Sequence, residues 1–328
     1  MARDKNLSIY DLAKKTGVSS GTISRVMNNR KGVSPGTRQM VLDAARHTGF
    51  RPRMAAKQVT VAVVADRVRY VVYGGYLSSM ITHLVDELAK LDVAVEIYTE
   101  HNVERLGTKF VDGVLGMGWD DGTIDKLRTM QCPVVLLNRR DRPEFSSVAT
   151  DHFQSAVLPV EYLLDRGHRR IGFLGIVPTD WGGSERLRGY RQTLQARGVP
   201  VDDTLIAFTQ HRSTYQAVKS LMEHKPTALL VFSEDLVLEA TYILTGPMGL
   251  NIPRDISLIG MENPKVSQFL NPPHTTIYQP LDQLAGQALG LLMQLIKDGR
   301  SEPVHVILKN ELIERESVRR LETDHENQ

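Results

Sequence analysis

The sequence predicts a three-helix, helix-turn-helix head joined to an α/β body with two lobes. The first observation is a segregation of charge: residues 1–58 hold 12 Lys and Arg against 3 Asp and Glu, whereas the remaining residues hold 28 against 35. The second is that β-branched apolar runs alternate with helical stretches from residue 59 onward. A small basic module on an acidic body is typical of a polyanion-binding head, because phosphate neutralisation dominates nucleic-acid affinity.

The first and third helices of the head are expected from their spacing and their caps. Ile9 and Leu12 recur at helical spacing, Ser8 can cap the start, and Gly17 can end the helix in the left-handed conformation. The third helix is expected to begin after Ser34 and to carry an inward face of Val41, Ala44, Ala45 and Thr48.

The middle helix has an unusual outer face. It follows Ser19 as its cap, and its inward residues are Ile23, Val26 and Met27. The outward residues are Ser20, Gly21, Ser24, Arg25 and Asn28. Small hydroxylated residues permit close approach to a duplex, and an arginine reaches a guanine edge, so this helix is predicted to enter the major groove. A generic three-helix bundle with ordinary serine caps would explain the helices but not this outer face.

The body is predicted to be parallel α/β with two lobes, because about 260 residues exceed what a single open sheet usually holds. Strands are expected at 59–64, 93–98, 133–138, 170–175, 227–232 and 256–260. Helices are expected at 77–91, 121–130, 152–166, 184–197, 213–223, 234–245 and 280–298. The predicted domains are a head at 1–50, a linker at 51–58 and an effector-binding and dimerisation body at 59–328.

Ligands of open parallel sheets bind outside the carboxyl ends of the strands. The candidate residues that follow or approach such strand ends are Tyr73, Asp151, Trp181, Arg186, Glu234, Asp235 and Glu262. Carboxylates, an arginine and aromatic rings suit a small polyhydroxylated ligand, since oxygens accept hydroxyl hydrogen bonds and a ring packs on C–H faces. Each residue alone is also explained as a helix cap or an ordinary loop charge, above all Asp151 and Asp235.

The head resembles the DNA-binding head of the lactose-repressor (LacI/GalR) family along the stretch IYDLAKKTGVSSGTISRVMNNRKGVSPGTRQMVLDAARHTGFRP. The resemblance implies base-reading positions at Tyr10, Ser20, Gly21 and Arg25. It implies phosphate contacts at Ser19, Thr22, Asn28 and Ser34. Ser8, Arg30 and Arg53 complete the predicted DNA-binding set.

The linker RPRMAAKQ departs from the family pattern. That family has a segment that forms a hinge helix on operator DNA and wedges a leucine into the minor groove. Here the linker is shorter and has no leucine at that position, although Met54 or Ala55 could approach the groove. A shortened hinge and a simple tether both remain open.

The family resemblance continues through LLDRGHRRIGFLG (163–175), SERLRGYRQTL (184–194) and NIPRDISLIGMEN (251–263). It implies a two-lobed, periplasmic-binding-protein-like effector domain that dimerises side by side. Asp151, Arg186, Asp235 and Glu262 match positions that commonly touch effector in this family. Glu234 stands where the family usually has Asn, and Glu262 where it usually has Asp. The crossover at 98–114 is shorter than usual, which puts the second helix of the first lobe in doubt.

These features favour a ligand-responsive, sequence-specific transcription factor that acts as a homodimer on a palindromic operator, as a repressor, with a sugar or related metabolite as effector. The alternatives are an α/β enzyme and a ligand-binding protein, either acting on a sugar or nucleoside. No phosphate loop, GxGxxG after a strand or GxSxG elbow supports an enzyme.

The sequence contains no sign of a membrane segment, a cofactor or a metal site. One cysteine, no 18-residue apolar run and a polar N-terminus predict a cytoplasmic protein. The ten histidines show no HExxH spacing, and no cofactor is expected. His168 is predicted to be structural, whereas His152 and His274 lie nearer the expected cleft.

Overall fold

The computed structural model describes residues 8–28, 30–48, 50, 58–66, 75–118, 120–299 and 302–322. Two predicted site residues, Arg53 and Tyr73, lie outside these ranges, as do Met54 and Ala55 of the linker. The choice between a shortened hinge and a tether therefore stays a prediction.

Described residues of the head form α1 (Ile9–Thr16), α2 (Ser20–Met27) and α3 (Pro35–Thr48). Ser8 closes a capping box with Asp11 at the start of α1, and Gly17 ends that helix with φ 68°. A left-handed residue at this position favours glycine, as the sequence predicts. The buried core of the head consists of Leu12, Ile23, Val26, Met27, Val41, Leu42, Ala45 and Phe50, with Phe110 of the body packed against it.

The body contains two six-stranded sheets within the described residues. In chain order the strands are β1 (Thr60–Ala65), β2 (Ala94–Thr99), β3 (Gly113–Met117), β4 (Val134–Leu137), β5 (Ser146–Thr150), β6 (Ile171–Gly175), β7 (Ile206–Phe208), β8 (Ala228–Val231), β9 (Ser257–Met261), β10 (Thr275–Tyr278), β11 (His305–Leu308) and β12 (Glu311–Ile313). The first sheet has the order β11-β5-β4-β3-β1-β2 and the second β12-β10-β9-β8-β6-β7. All pairs are parallel except β10 with β12, so the predicted two-lobed α/β architecture is confirmed.

Helices cover both faces of the sheets. They are α4 (Tyr76–Lys90), α5 (Asp121–Leu127), α6 (Gln154–Leu164), α7 (Trp181–Ala196), α8 (Thr214–Glu223), α9 (Glu234–Thr245) and α10 (Leu281–Asp298). Helices α4 and α10 pack on one face of the first sheet. In the second lobe, α6 and α7 pack on one face of the sheet and α8 and α9 on the other. No helix of the described ranges combines the length and apolarity that crossing a bilayer requires.

The chain passes between the two lobes three times. The crossings lie between β5 and α6, between β10 and α10, and between β11 and β12. Each crossing is short, with two or three residues between the flanking elements. Since all three run side by side at the lobe junction, they form a hinge next to the space between the sheets.

The predicted helices are all present, with shifted ends. Helix α7 begins at Trp181 rather than at residue 184, because Asp180 caps it by accepting a hydrogen bond from Gly183 N at 2.6 Å. Strand β3 and the short strands at the hinge were not predicted. Between β2 and β3 the chain forms only a six-residue 3₁₀ helix, Val103–Thr108. This described crossover therefore contains no α-helix, as its short length indicated.

A glycine on β9 determines how closely α9 packs against the sheet. A Cβ atom on Gly260 would overlap the Val237 side chain of α9. The absence of a side chain therefore lets α9 approach the sheet closely. This approach positions the first turn of α9, which carries two carboxylates, at the edge of the lobe junction.

Candidate functional site

The outer face of α2 is the candidate DNA-binding surface. Gly21, Arg25 and Asn28 are exposed, and Tyr10 on α1 has 69% of its surface exposed. The Arg25 side chain makes no hydrogen bond or ion pair with another residue of the described ranges. This face can therefore present a guanidinium and a phenol to a partner without breaking an internal contact.

Three serines of the predicted DNA-binding set also cap helices. Ser8, Ser19 and Ser34 each accept a hydrogen bond from a backbone N–H of the following helix, at 3.3, 3.1 and 3.2 Å. Ser19 Oγ also lies 2.9 Å from Thr22 Oγ1, while Ser20 is half-buried at the start of α2. A phosphate at this end of α2 would meet the helix N-terminus together with hydroxyl groups, which is a favourable arrangement for an anion.

The end of α2 is held by two hydrogen-bonded side chains. Asn28 Nδ2 donates to the carbonyl of Ser24 at 2.8 Å. Arg38 of α3 donates from Nη2 to the carbonyl of Arg30 at 2.6 Å. Arg30 itself is exposed, so its guanidinium lies beside the helix on a segment that α3 fixes in place.

The second candidate site is a cavity of about 570 Å³ between the two sheets. The first lobe contributes the start of α4 and the residues after β4, and the hinge contributes His152 and Gln279. The second lobe contributes the start of α7, the first turn of α9 and residues at the ends of its strands. The cavity thus lies at the carboxyl ends of the parallel strands, where the sequence predicts ligand binding.

Two carboxylates mark one part of the cavity. Glu234 and Asp235 form the first turn of α9, and neither has an ion-pair or hydrogen-bond partner among the described residues. Burial, together with the nearby charges of Asp235 and Glu262, raises the pKa of Glu234 to about 8. Burial, followed by repulsion from Glu239, also raises the pKa of Asp235. Both shifts arise because negative charge here is desolvated and has no cation to stabilise it.

An arginine and a histidine mark another part of the cavity. Arg186 of α7 donates from Nη2 to His152 Nδ1 at 3.2 Å, and its Nε is buried without a partner among the described residues. Burial and the Arg186 charge hold the pKa of His152 well below its usual range. The imidazole is therefore neutral and can accept from Arg186. Arg186 keeps further donor capacity for a ligand oxygen.

A hydrogen-bond chain links the hinge to the first lobe. Gln279 Nε2 donates to Thr150 Oγ1 at 2.6 Å, and the Thr150 backbone N–H donates to Asn138 Oδ1 at 2.8 Å. Asn138 Nδ2 then donates to the hydroxyl of Tyr76 at 2.7 Å. Asn138 has φ 53°, a left-handed conformation that is uncommon for a residue other than glycine. The chain fixes Tyr76 and Asn138 in the cavity wall, and burial raises the pKa of Tyr76.

Phenylalanines supply the apolar wall. Phe173, Phe208 and Phe232 line the cavity, and the ring centroids of Phe208 and Phe232 lie 5.7 and 4.7 Å from that of Phe173. Each phenylalanine lies in or directly after a strand, so its sequence pattern indicates core. Their position near the carboxyl ends of the strands was the signal that could have placed them in the cavity.

The structure brings together three of the seven predicted effector residues, Arg186, Glu234 and Asp235. Three others, Asp151, Trp181 and Glu262, do not line the cavity. Asp151 accepts from Gln154 N at 2.9 Å and so caps α6. Trp181 packs edge-on against His152, with ring centroids 5.0 Å apart, and lies behind it.

Glu262 is the third predicted residue outside the cavity lining. It is buried and receives two hydrogen bonds from Arg315, at 2.8 and 2.9 Å, and one from the Thr276 hydroxyl. This ion pair joins the end of β9 to the C-terminal segment, and Glu262 is not among the residues that line the cavity. The residues that sequence reasoning missed are Tyr76, Asn138, Arg139, Asp180, Thr209, Gln210, Gln279 and the three phenylalanines.

His168 and His274 both lie outside the cavity lining. His168 Nδ1 lies 2.9 Å from Thr227 Oγ1 and Nε2 lies 3.0 Å from the carbonyl of Arg319. His274 is buried outside the cavity lining, and burial lowers its pKa to about 4. Across the described ranges, no three His, Cys, Asp or Glu side chains are grouped so as to hold a metal ion.

Two family models match the chain. Residues 8–53 match the bacterial regulatory proteins of the lacI family, and residues 160–318 match a periplasmic binding protein-like domain. The HTH-type transcriptional regulator MalR of Clostridium butyricum is 30% identical over 335 residues, covering 95% of this chain and 99% of that protein. Catabolite control protein A of Priestia megaterium is 28% identical over 312 residues, covering 88% and 92%.

Solved structures agree with this similarity. A complex of the transcriptional regulator CelR with cellobiose is 27% identical, with a TM-score of 0.71 over 95% of this chain and 99% of that one. A lac repressor dimer bound to operator and an anti-inducer is 23% identical, with a TM-score of 0.69 over 96% and 100%, and at this identity it supports the fold alone.

Proposed function

Because the chain belongs to the LacI family of bacterial regulatory proteins, we propose that it is a sequence-specific repressor. In this proposal a small polyhydroxylated effector, a sugar or related metabolite, controls its affinity for operator DNA. Like its relatives, the chain is a transcriptional regulator and not an enzyme. The observation that carries the proposed effector control is the cavity between the lobes, where uncompensated carboxylates, an arginine and a phenylalanine wall converge.

In the DNA-binding part of the proposal, α2 lies in the major groove. Arg25 reads a base edge, with Tyr10, Ser20 and Gly21 near the bases, because these residues lie on or beside the outer face of the helix. The phosphate contacts are Ser8, Ser19, Thr22, Asn28, Arg30 and Ser34, with Arg53 added from the sequence. Short side chains at 20 and 21 leave most of the base discrimination to Arg25 and Tyr10.

In the effector part of the proposal, the ligand hydroxyls bind Arg186, Glu234 and Asp235, and the pyranose C–H faces pack on the phenylalanine wall. Tyr76, Asn138 and Gln279 join the site from the first lobe and the hinge. A sugar is favoured because the similar CelR regulator was solved with cellobiose. Since Arg186, Glu234 and Asp235 belong to the second lobe, a ligand that binds both groups has contacts on both lobes at once.

A ligand that contacts both lobes stabilises the closed arrangement relative to an open one. The three hinge crossings let the lobes rotate while each sheet stays intact. Rotation moves the first lobe, from which the linkers of a dimer emerge, and so changes the spacing of the two heads. The effector must bind the two states with different affinity for this to work.

The proposed dimer surface lies on the first lobe. Strand β2 is the outer strand of its sheet, and its Val95 and Ile97 are exposed. Helix α4 packs next to it, and Val85 on this helix and Leu91 directly after it are exposed. Apolar side chains on an edge strand and a neighbouring helix form a surface that a second copy can bury, which pairs two heads on a palindromic operator.

The test is operator selection followed by effector titration. Full-length protein selects its operator from random duplexes, and fluorescence anisotropy then compares operator with scrambled DNA while sugars are added. We expect a palindromic operator and at least one sugar that changes operator affinity tenfold or more. Arg186→Ala should remove this response and keep operator binding, whereas Arg188→Ala, an exposed position on the same helix outside the cavity, should keep both. Equal affinity for operator and scrambled DNA would refute the proposal.

A further inference from the structure

The charges that line the cavity do not balance. Its arginine, aspartate and glutamate side chains are Arg139, Asp180, Arg186, Glu234 and Asp235. Arg139 is already held by Asp121 and Asp141, with Nη2 at 2.8 and 2.6 Å from their oxygens. Asp180 is engaged as the cap of α7. Within the described lining, Arg186 thus remains as the cation that is not paired with a carboxylate, against two carboxylates.

Arg186 does not compensate these carboxylates. No cation contributes to the electrostatic surroundings of Glu234 or Asp235, which are set by burial and by other acids. The electrostatic surroundings of Arg186 include Asp180 and Tyr76 but not Glu234. The charges of both Arg186 and Glu234 act on Tyr76, which lines the same cavity.

The part of the cavity that contains Glu234 and Asp235 also lies close to the first lobe. Asp235 approaches the first lobe so closely that a Cβ on Gly75 would lie 2.9 Å from its Oδ2. The Asp235 carboxylate therefore lies against the first lobe, and the α9 N-terminus offsets only a fraction of the charge of the two carboxylates. A protonated amine delivered by a ligand would supply the missing counter-charge and hydrogen-bond donors in one group.

We propose that the effector is a hydroxylated compound with one protonated amine, an amino sugar in chemical class, whose ammonium binds between Glu234 and Asp235 while a ring or hydroxyl oxygen accepts from Arg186. This inference rests on the proposed function and specifies its ligand. Binding of the ammonium ionises Glu234, so the complex releases a proton near neutral pH. A neutral sugar in the same cavity would instead meet a protonated Glu234 that donates to a hydroxyl, with no proton released.

The test uses matched pairs of probes on the full chain: glucosamine with glucose, galactosamine with galactose, and the fully deacetylated chitobiose with cellobiose. Calorimetry at pH 6.5 in two buffers of different ionisation enthalpy gives the affinity and the number of protons released. We expect an amine to bind at least tenfold more tightly than its hydroxyl partner and to release close to one proton. N-acetylation of that amine should abolish the gain.

Two conservative variants separate the charge from the fold. Glu234→Gln and Asp235→Asn should each reduce the preference for the amine at least fivefold, and Glu234→Gln should also remove the proton release. Glu223→Gln, an exposed glutamate at the end of α8, should change neither. Thermal melting of each variant checks that the body stays folded.

The possible results distinguish this inference from the proposed function. If neutral partners bind at least as tightly as the amines in all pairs, or if no amine binds, the inference is wrong. The proposed function then still stands when a neutral compound changes operator affinity. It fails separately when the chain prefers no DNA sequence.

Discussion

Asp235 in the second lobe lies against Gly75 in the first, and a Cβ on Gly75 would come within 2.9 Å of Asp235 Oδ2 and 3.1 Å of Oδ1. The two residues belong to the starts of α9 and α4, one on each side of the cavity. Gly75 has φ −66°, a conformation that any residue adopts. Its lack of a side chain is therefore required by the approach of the two lobes and not by the backbone.

Gly75→Ala is predicted to weaken effector binding. The new methyl group must displace the Asp235 carboxylate or hold the lobes slightly apart, and either change disturbs the closed cavity. We expect effector affinity to fall five- to fiftyfold, about 1–2 kcal/mol, while operator binding without effector stays within twofold. Calorimetry with effector and anisotropy with operator measure the two effects.

Gly290→Ala is the matched control for that substitution. Gly290 is exposed on α10, and a Cβ there would meet no atom within 4 Å. An alanine in an exposed helix interior should raise stability by about 0.5–1 kcal/mol and leave effector affinity unchanged. Equal effector affinities for Gly75→Ala and Gly290→Ala would show that the two lobes do not approach each other as described.

Arg25→Ala and Arg30→Ala are predicted to weaken DNA binding in two different ways. Arg25 is exposed on the outer face of α2, so its loss should cost about 1–3 kcal/mol at one base position and relax the preference there. Arg30 lies on the segment after α2, so its loss should weaken operator and random DNA alike and reduce the salt dependence by about one ion. Competition anisotropy with single-base operator variants distinguishes the two. Equal losses on operator and random DNA for Arg25→Ala would reject its base-reading role.

Arg315→Ala is predicted to destabilise the body strongly. The Arg315 guanidinium forms two hydrogen bonds to Glu262, whose side chain is only 2% exposed. Removal of the cation leaves a buried carboxylate without its partner, which typically costs about 3–5 kcal/mol. Urea unfolding followed by circular dichroism should show this loss, with operator contacts of the head unaffected.

Arg197→Ala provides the comparison for a solvent-exposed pair. Arg197 pairs with Asp165, and the two side chains are 39% and 60% exposed. Such pairs contribute about 0–1 kcal/mol, because water and salt screen them. If Arg315→Ala cost no more than Arg197→Ala, the Glu262–Arg315 pair would not be the structural tie inferred from its burial.

Most of the body could be predicted from the sequence because its helices and longer strands have clear periodicity. Strand β3 (GVLGM) was missed because it follows an unusually short crossover and contains two glycines. The strands at the hinge were missed because they are three or four residues long. Short segments contain too few residues for an alternation to stand out from the background.

The cavity was predicted less completely, for a physical reason. Arg186, Glu234 and Asp235 were found because charged residues near strand ends are conspicuous. Glu262 follows a strand in the same way, yet its partner Arg315 comes from 53 residues further along the chain. No local pattern signals such a long-range pairing. Asn138 and the phenylalanines were overlooked because amides in loops and aromatics in strands are common outside binding sites.

Glu234→Gln is predicted to change how stability depends on pH. The folded pKa of Glu234 is about 8, above that of an unfolded glutamate at about 4.3, so the native state holds the proton between these values. The free energy of unfolding should therefore fall as pH rises toward 8, by at most about 1.4 kcal/mol per pH unit, and level off above 9. The glutamine variant lacks this contribution. Urea unfolding at pH 6, 7, 8 and 9 should show the parent chain losing stability relative to Glu234→Gln, and parallel pH profiles for the two proteins would mean that Glu234 is ionised throughout.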